Sequence, residues 1–137
     1  MYPARKLMNT RQSELTDVLR KLAAEFPNPH WVALIDQDGL VMACVPPDPP
    51  VDLESISAMT AAGAAMGERV VDEIDGGDLR TVSVIGAKRQ VLTVALTRDR
   101  LLSVGLDPSV PPHRVFGPLG DAVQDLARAL RRRFTAD

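Results

Sequence analysis

Residues 53–74 read LESISAMTAAGAAMGERVVDEI, and this stretch is patterned as one long helix with two differently composed sides. Ile56, Met59, Thr60, Gly63, Met66, Gly67, Val70 and Ile74 recur at the helical period and share a stripe, which is expected to face the core. Ala58, Ala61, Ala62 and Ala65 fall on the other side, among Glu54, Ser57, Glu68, Arg69 and Asp72. A face that met only water would more often carry Lys, Glu or Gln. Alanine is the best helix former, which accounts for part of the pattern, but rows of alanine also let another backbone come close. The helix is therefore expected to touch its own core and a partner. Gly63 and Gly67 each cost about 1 kcal/mol of helix propensity relative to alanine, which points to close approach by a sheet surface.

The flanks of this helix are well marked. Pro46, Pro47, Pro49 and Pro50 form a short stiff connection into it, Asp52 is placed to cap its first turn, and Asp75, Gly76, Gly77 and Asp78 end it. Upstream, Trp31 to Ile35 and Leu40 to Val45 read as two strands joined by the turn Asp36-Gln37-Asp38-Gly39. Both are apolar at consecutive positions, so each is expected to be covered on two faces. Downstream, Leu79 to Ile85, Gln90 to Thr97 and Leu101 to Leu106 read as three strands whose short turns allow only antiparallel neighbours. The most apolar of these, Val91 to Leu96, is expected well inside the sheet, and the more polar Arg80 to Val84 at an edge.

A first helix is expected from Thr10, with Leu15, Val18, Leu19, Leu22, Ala23 and Phe26 on one face, ended by Pro27 and Pro29. A last helix opens at Pro118 and carries Leu119, Val123, Leu126, Leu130 and Phe134 on one face. Met1 to Asn9 is expected to be a flexible leader and residues 135–137 a short tail. The order is helix, two strands, helix, three strands, helix: an α/β domain with helices on both sides of a five-stranded, mainly antiparallel sheet.

Composition narrows the function classes. With 137 residues, 45% hydrophobic and 25% charged, the chain can build one ordinary domain with its own core. Sixteen basic against eighteen acidic residues do not suit nucleic acid as the main partner. Cys44 is the single cysteine, so no internal disulfide and no cysteine-rich metal site is possible. His30 and His113 have no nucleophile nearby in sequence to activate, Asp36 and Asp38 read as turn formers, and Gly76-Gly77 does not continue into a phosphate loop. Arg131, Arg132 and Arg133 suit the carboxyl end of a helix without any ligand. No apolar run reaches membrane-spanning length and the first thirty residues are too charged for a signal peptide, so the cytoplasm is the expected compartment. No catalytic residue, cofactor or metal is expected.

The Trp31 to Ile35 strand, the Asp36-x-x-Gly39 turn, the Leu40 to Val45 strand and the alanine-rich helix through Gly63 resemble the Roadblock/dynein light chain family, most nearly its bacterial MglB-like branch. The likeness spans residues 10–134, taken as the domain. It implies a profilin-like three-layer fold and a homodimer in which the middle helices meet and the third strands pair. Carried onto this sequence, that places Ala58, Ala61, Ala62, Ala65, Thr81, Val82, Ser83 and Val84 at a dimer interface. It also implies a small Ras-like GTPase as partner, contacted by Glu54, Ser57, Glu68, Arg69 and Asp72, with hydrolysis stimulated by positioning the GTPase's switch regions and not by a group of this chain. A homodimeric scaffold that leaves hydrolysis unchanged is the alternative. A small-molecule sensor is disfavoured, because the packed apolar strands offer no polar binding set.

Overall fold

The computed structural model describes residues 2–111 together with 114, 120, 124–126 and 128, and side chains from Gln12 onward. The elements are α1 (Tyr2–Ala24), β1 (Trp31–Asp36), β2 (Val41–Val45), α2 (Leu53–Glu73), β3 (Thr81–Ile85), β4 (Gln90–Ala95) and β5 (Arg100–Leu106). Helix α1 starts at Tyr2 and not at Thr10, so most of the segment expected as a leader is helical. Ala4, Arg5, Lys6, Leu7 and Met8 are good helix formers, and Pro3 falls in the first turn, where a missing N–H costs nothing. Of the expected last helix, residues 120, 124–126 and 128 are helical, as is 114 ahead of its expected start, and Leu126 is fully buried. Leu119, Val123, Leu130 and Phe134, like His113 and the arginines at 131–133, lie outside the described residues.

The five strands form one antiparallel sheet in the order β2-β1-β5-β4-β3. The centre is β5, buried from Leu101 to Leu106. Strand β4 lies inside as expected, one place from the edge, and β3 takes the edge itself. Strand alternation then sorts the side chains to two faces. Val32, Leu34, Leu92, Val94, Leu102, Val104 and Leu106 pack with Leu15, Leu19, Leu22 and Phe26 of α1 and with Leu126. Trp31, Ala33, Ile35 and Leu101 pack with Ala61 and Ala64 of α2. The result is the three-layer α-β-α arrangement. Fully buried leucines such as Leu19, Leu22 and Leu34 each contribute about 1.5–3 kcal/mol over an exposed position.

Trp31 sets the geometry of the α2 layer. Its indole lies across Gly105 of β5, where an added Cβ would come within 2.4 Å of the ring, and Nε1 donates to Ser103 Oγ at 3.1 Å. A ring lying flat on the sheet occupies the height that large side chains of α2 would otherwise fill.

Candidate interaction surface

Helix α2 is capped at its amino end and pressed close to the β1–β2 turn. Asp52 caps it, its Oδ1 accepting from the Ser55 N–H at 3.4 Å and its Oδ2 from Ser55 Oγ at 3.0 Å. The β1–β2 turn is built on Asp36, whose Oδ1 accepts from the N–H groups of Asp38 and Leu40, each at 2.9 Å. Gly39, at φ +86°, brings that turn against α2: an added Cβ would stand 2.8 Å from Ala58 Cα and 3.0 Å from the Ser57 carbonyl oxygen. Backbone meets backbone here, which only glycine permits.

Close seating decides which side chains of α2 go inward. Ser57, Ala61 and Ala64 are buried, with Leu53, Ile56, Thr60 and Val71 partly covered. Met59 (62% exposed), Met66, Val70 and Ile74 point outward. The expected core stripe is therefore corrected at Met59, Met66, Val70 and Ile74, while Ile56, Thr60 and Gly67 stay partly covered. A helix resting on Trp31 and on the backbone at Gly39 buries only small residues completely, keeps Leu53, Ile56 and Val71 partly covered, and leaves the other large apolar residues on the outside.

Two expected contact residues change place with this correction. Ala61 is 8% exposed and Ser57 fully buried, so neither can touch another molecule. Ala58, Ala62 and Ala65 are exposed, but they flank the methionines and are not a face of their own. Of the strand residues, Thr81 and Val82 are partly buried, while Ser83 and Val84 are exposed, as is Ile85. Periodicity could not have singled out Met59, Met66 and Val70. The available signal was a tryptophan in the adjoining strand, which calls for small residues above it.

The exposed α2 face and the edge of β3 form one continuous surface. Gly67 joins them: a Cβ there would meet Leu79 Cδ1 and Val82 Cγ2, each at 3.2 Å. Met66 and Val70 flank this junction on the helix, and Val84 (65% exposed) follows Val82 on the same face of the strand, while Ile85 is exposed on the other face. Exposed apolar side chains gathered next to an unpaired strand edge mark an association surface.

Charges border it. Glu54, Glu68, Arg69 and Asp72 are all exposed on α2. Glu68 and Asp72 also line an open groove of about 580 Å³ with Asp78, Leu79, Thr97 and Arg98, at the strand ends beside α2. Elsewhere no reactive constellation occurs among the described residues. The Cys44 thiol donates to the Pro46 carbonyl at 3.1 Å, and burial pushes its pKa up to about 11, away from the nucleophilic thiolate. His30 Nδ1 and Ser57 Oγ are buried without a hydrogen-bond partner. No group of three or more metal-ligating side chains occurs among the described residues, and no helix among them is long and apolar enough to cross a membrane.

Comparison with known proteins gives consistent results. The family model described as Roadblock/LC7 domain matches residues 15–105. Among solved structures, MglB from Myxococcus xanthus superposes with a TM-score of 0.77 at 18% identity, covering 87% of this chain and 89% of the other. The gliding protein MglB of Thermus thermophilus gives 0.75 at 20% identity, covering 87% and 90%. An MglB with a tetrameric arrangement gives 0.76 at 20% identity, covering 87% and 89%. No curated protein sequence matches the chain.

Proposed function

Because the chain belongs to the Roadblock/LC7 family, we propose that it acts as a homodimeric regulator of a small Ras-like GTPase. The observation that carries this reading is the continuous surface of exposed α2 residues and free β3 edge. A second copy related by a two-fold axis can extend the sheet through β3 and cover the helix face in the same contact. One solved protein of similar fold, an MglB with a tetrameric arrangement, supports self-association.

The GTPase contact lies on the charged border, at Glu68 and Asp72, with Glu54 and Arg69 beside the self-association face. These groups act by binding. The pair of α2 helices is a platform that favours the hydrolysis-competent arrangement of the GTPase's own switch regions, a shift of population that lowers the barrier without a donated catalytic group. The scaffold reading uses the same surfaces and differs only in leaving turnover unchanged.

Co-purification from the native cell identifies the GTPase, and single-turnover GTP hydrolysis with and without this chain then separates the two readings. Acceleration that saturates with bound chain is expected. Binding with an unchanged rate makes the protein a scaffold, and absence of any GTPase among bound partners sinks both.

A further inference from the structure

We infer that Gln90 couples the β3 edge to the start of the last helix: it is the latch of a strap, residues 107–111, which tightens when a second copy pairs with β3. This rests on the proposed self-association and adds a distant element that responds to it.

Strand alternation makes Gln90 an anomaly. It opens β4 two and four positions ahead of Leu92 and Val94, which pack in the α1 layer, and it is itself only 4% exposed. An apolar residue is expected at such a position. A buried amide is unfavourable there unless its hydrogens are used, and both are: Nε2 donates to the Asp107 carbonyl at 2.8 Å and to the Val110 carbonyl at 2.9 Å. Asparagine is one methylene shorter, ionised glutamate has no hydrogen to give, and lysine would bring a charge into the core. The strap, and not packing, explains the residue type.

The strap needs few other fastenings. Pro108 and Pro111 have no N–H, the Ser109 N–H and Oγ both donate to Asp107 Oδ1, at 2.9 and 2.6 Å, and the Val110 N–H donates to the Asp107 carbonyl at 3.1 Å. With these donors satisfied internally, the strap is hydrogen-bonded to other elements, among the described residues, through Gln90 alone; the buried Val110 side chain adds an apolar contact. The last helix follows directly, the Arg114 N–H donating to the Pro111 carbonyl at 3.1 Å.

The same glutamine stands next to the free edge. Register pairs Gln90 with Leu106 of β5 on one side and with Ile85 of β3 on the other, and directly paired residues share a face with Cβ atoms about 4.5–5.5 Å apart. Ile85 is 60% exposed. A second copy that pairs with β3 covers Ile85 and confines the rung from Ile85 through Gln90 to Leu106, so the amide leaves its two carbonyls less often. Such coupling is reciprocal: what holds the strap shut also favours association.

Hydrogen exchange of the full chain, at concentrations below and above self-association, tests this. In the associated chain the N–H groups of Ser109, Val110 and Arg114 are expected to exchange about tenfold more slowly, while that of Leu40, at the opposite edge, is unchanged. Gln90→Glu is expected to remove the strap's protection and to weaken self-association about tenfold in sedimentation, with thermal melts reporting whether the variant folds. The wild-type exchange decides the matter if it does not. Strap amides that exchange alike in monomer and dimer, or a folded Gln90→Glu chain that associates as wild type does, would overturn the coupling and leave the proposed dimer standing. A wild-type chain that stays monomeric at every concentration overturns both.

Discussion

The sheet has two edges, and they are finished differently. On β2 the ladder with β1 slips between Leu34 and Ile35: Leu34 pairs with Ala43 and Ile35 with Val41, leaving Met42 as the extra residue of a bulge. The Met42 carbonyl is taken by Gln12 of α1, whose Nε2 donates to it at 2.9 Å. Four prolines between positions 46 and 50 follow at once. Bulge, side-chain cap and proline are three separate ways of blunting a strand edge. On β3 none of these occurs. The strand pairs with β4 in unbroken register from Thr81 to Ile85, and among the described residues none of the side-chain hydrogen bonds reaches it. Both edges expose apolar side chains, Leu40 and Val41 on one and Val84 and Ile85 on the other. Their difference lies in the backbone, and it teaches that exposed hydrophobicity alone does not locate an association surface.

The largest effect expected of this asymmetry is on association. Val84→Glu with Ile85→Lys is expected to weaken self-association about a thousandfold, while the matched pair Leu40→Glu with Val41→Lys leaves it nearly unchanged. Analytical ultracentrifugation of the two variants checks this, and equal losses would show that the edges are equivalent.

Next in size is Gly39→Ala, which strikes the β2 side through its turn. A methyl group at φ +86° placed against the Ala58 backbone is expected to cost about 2–3 kcal/mol of folding stability, measured by urea unfolding. The turn shifts with the substitution, and β2 is expected to lose amide protection before β3.

A smaller effect sharpens the comparison most directly. Gln12→Ala removes the cap from Met42, with an expected loss of about 1 kcal/mol. If the cap guards the edge, the variant also sediments as larger species at high concentration. A stability loss with no change in sedimentation would reduce Gln12 to a local fastening.

The smallest effect concerns Cys44 on β2. Burial raises its folded pKa from 9.0 to about 11, so the folded chain holds this proton more tightly. The resulting stability is fully present below pH 9 and is lost as pH rises toward about 11. Comparing unfolding midpoints of wild type and Cys44→Ala across that range isolates it; a constant difference would mean that the thiol titrates alike in both states.

The sequence announced the strands clearly because their apolar runs are bounded by unambiguous turns, Asp36 to Gly39 above all, and by Asp52 as a helix cap. The edge position of β3 was likewise legible in the polarity of Arg80, Thr81 and Ser83. What periodicity could not supply was the inward side of α2. A helical repeat defines faces but not which is nearer the sheet, and size reversed the hydrophobic expectation: Ala61 and Ala64 fit above Trp31 and Ser57 against the Gly39 turn, and Met59 and Met66 do not. The bulge at Met42 and its pairing with Gln12 join residues thirty positions apart, beyond the reach of local pattern. The charged border was visible as residue types, whereas its division between Glu68 and Asp72 along the groove and Arg69 beside the methionines required the fold.

The Gln12 cap on Met42 also bears on arithmetic. A building block with two adhesive sides can be added without end, whereas one with a single adhesive side is used up after its first addition. Through strand pairing alone this sheet can grow from five strands to ten and then has no free end to offer. The bulge at Met42, the glutamine that holds it and the prolines that follow together separate a countable complex from a fibre.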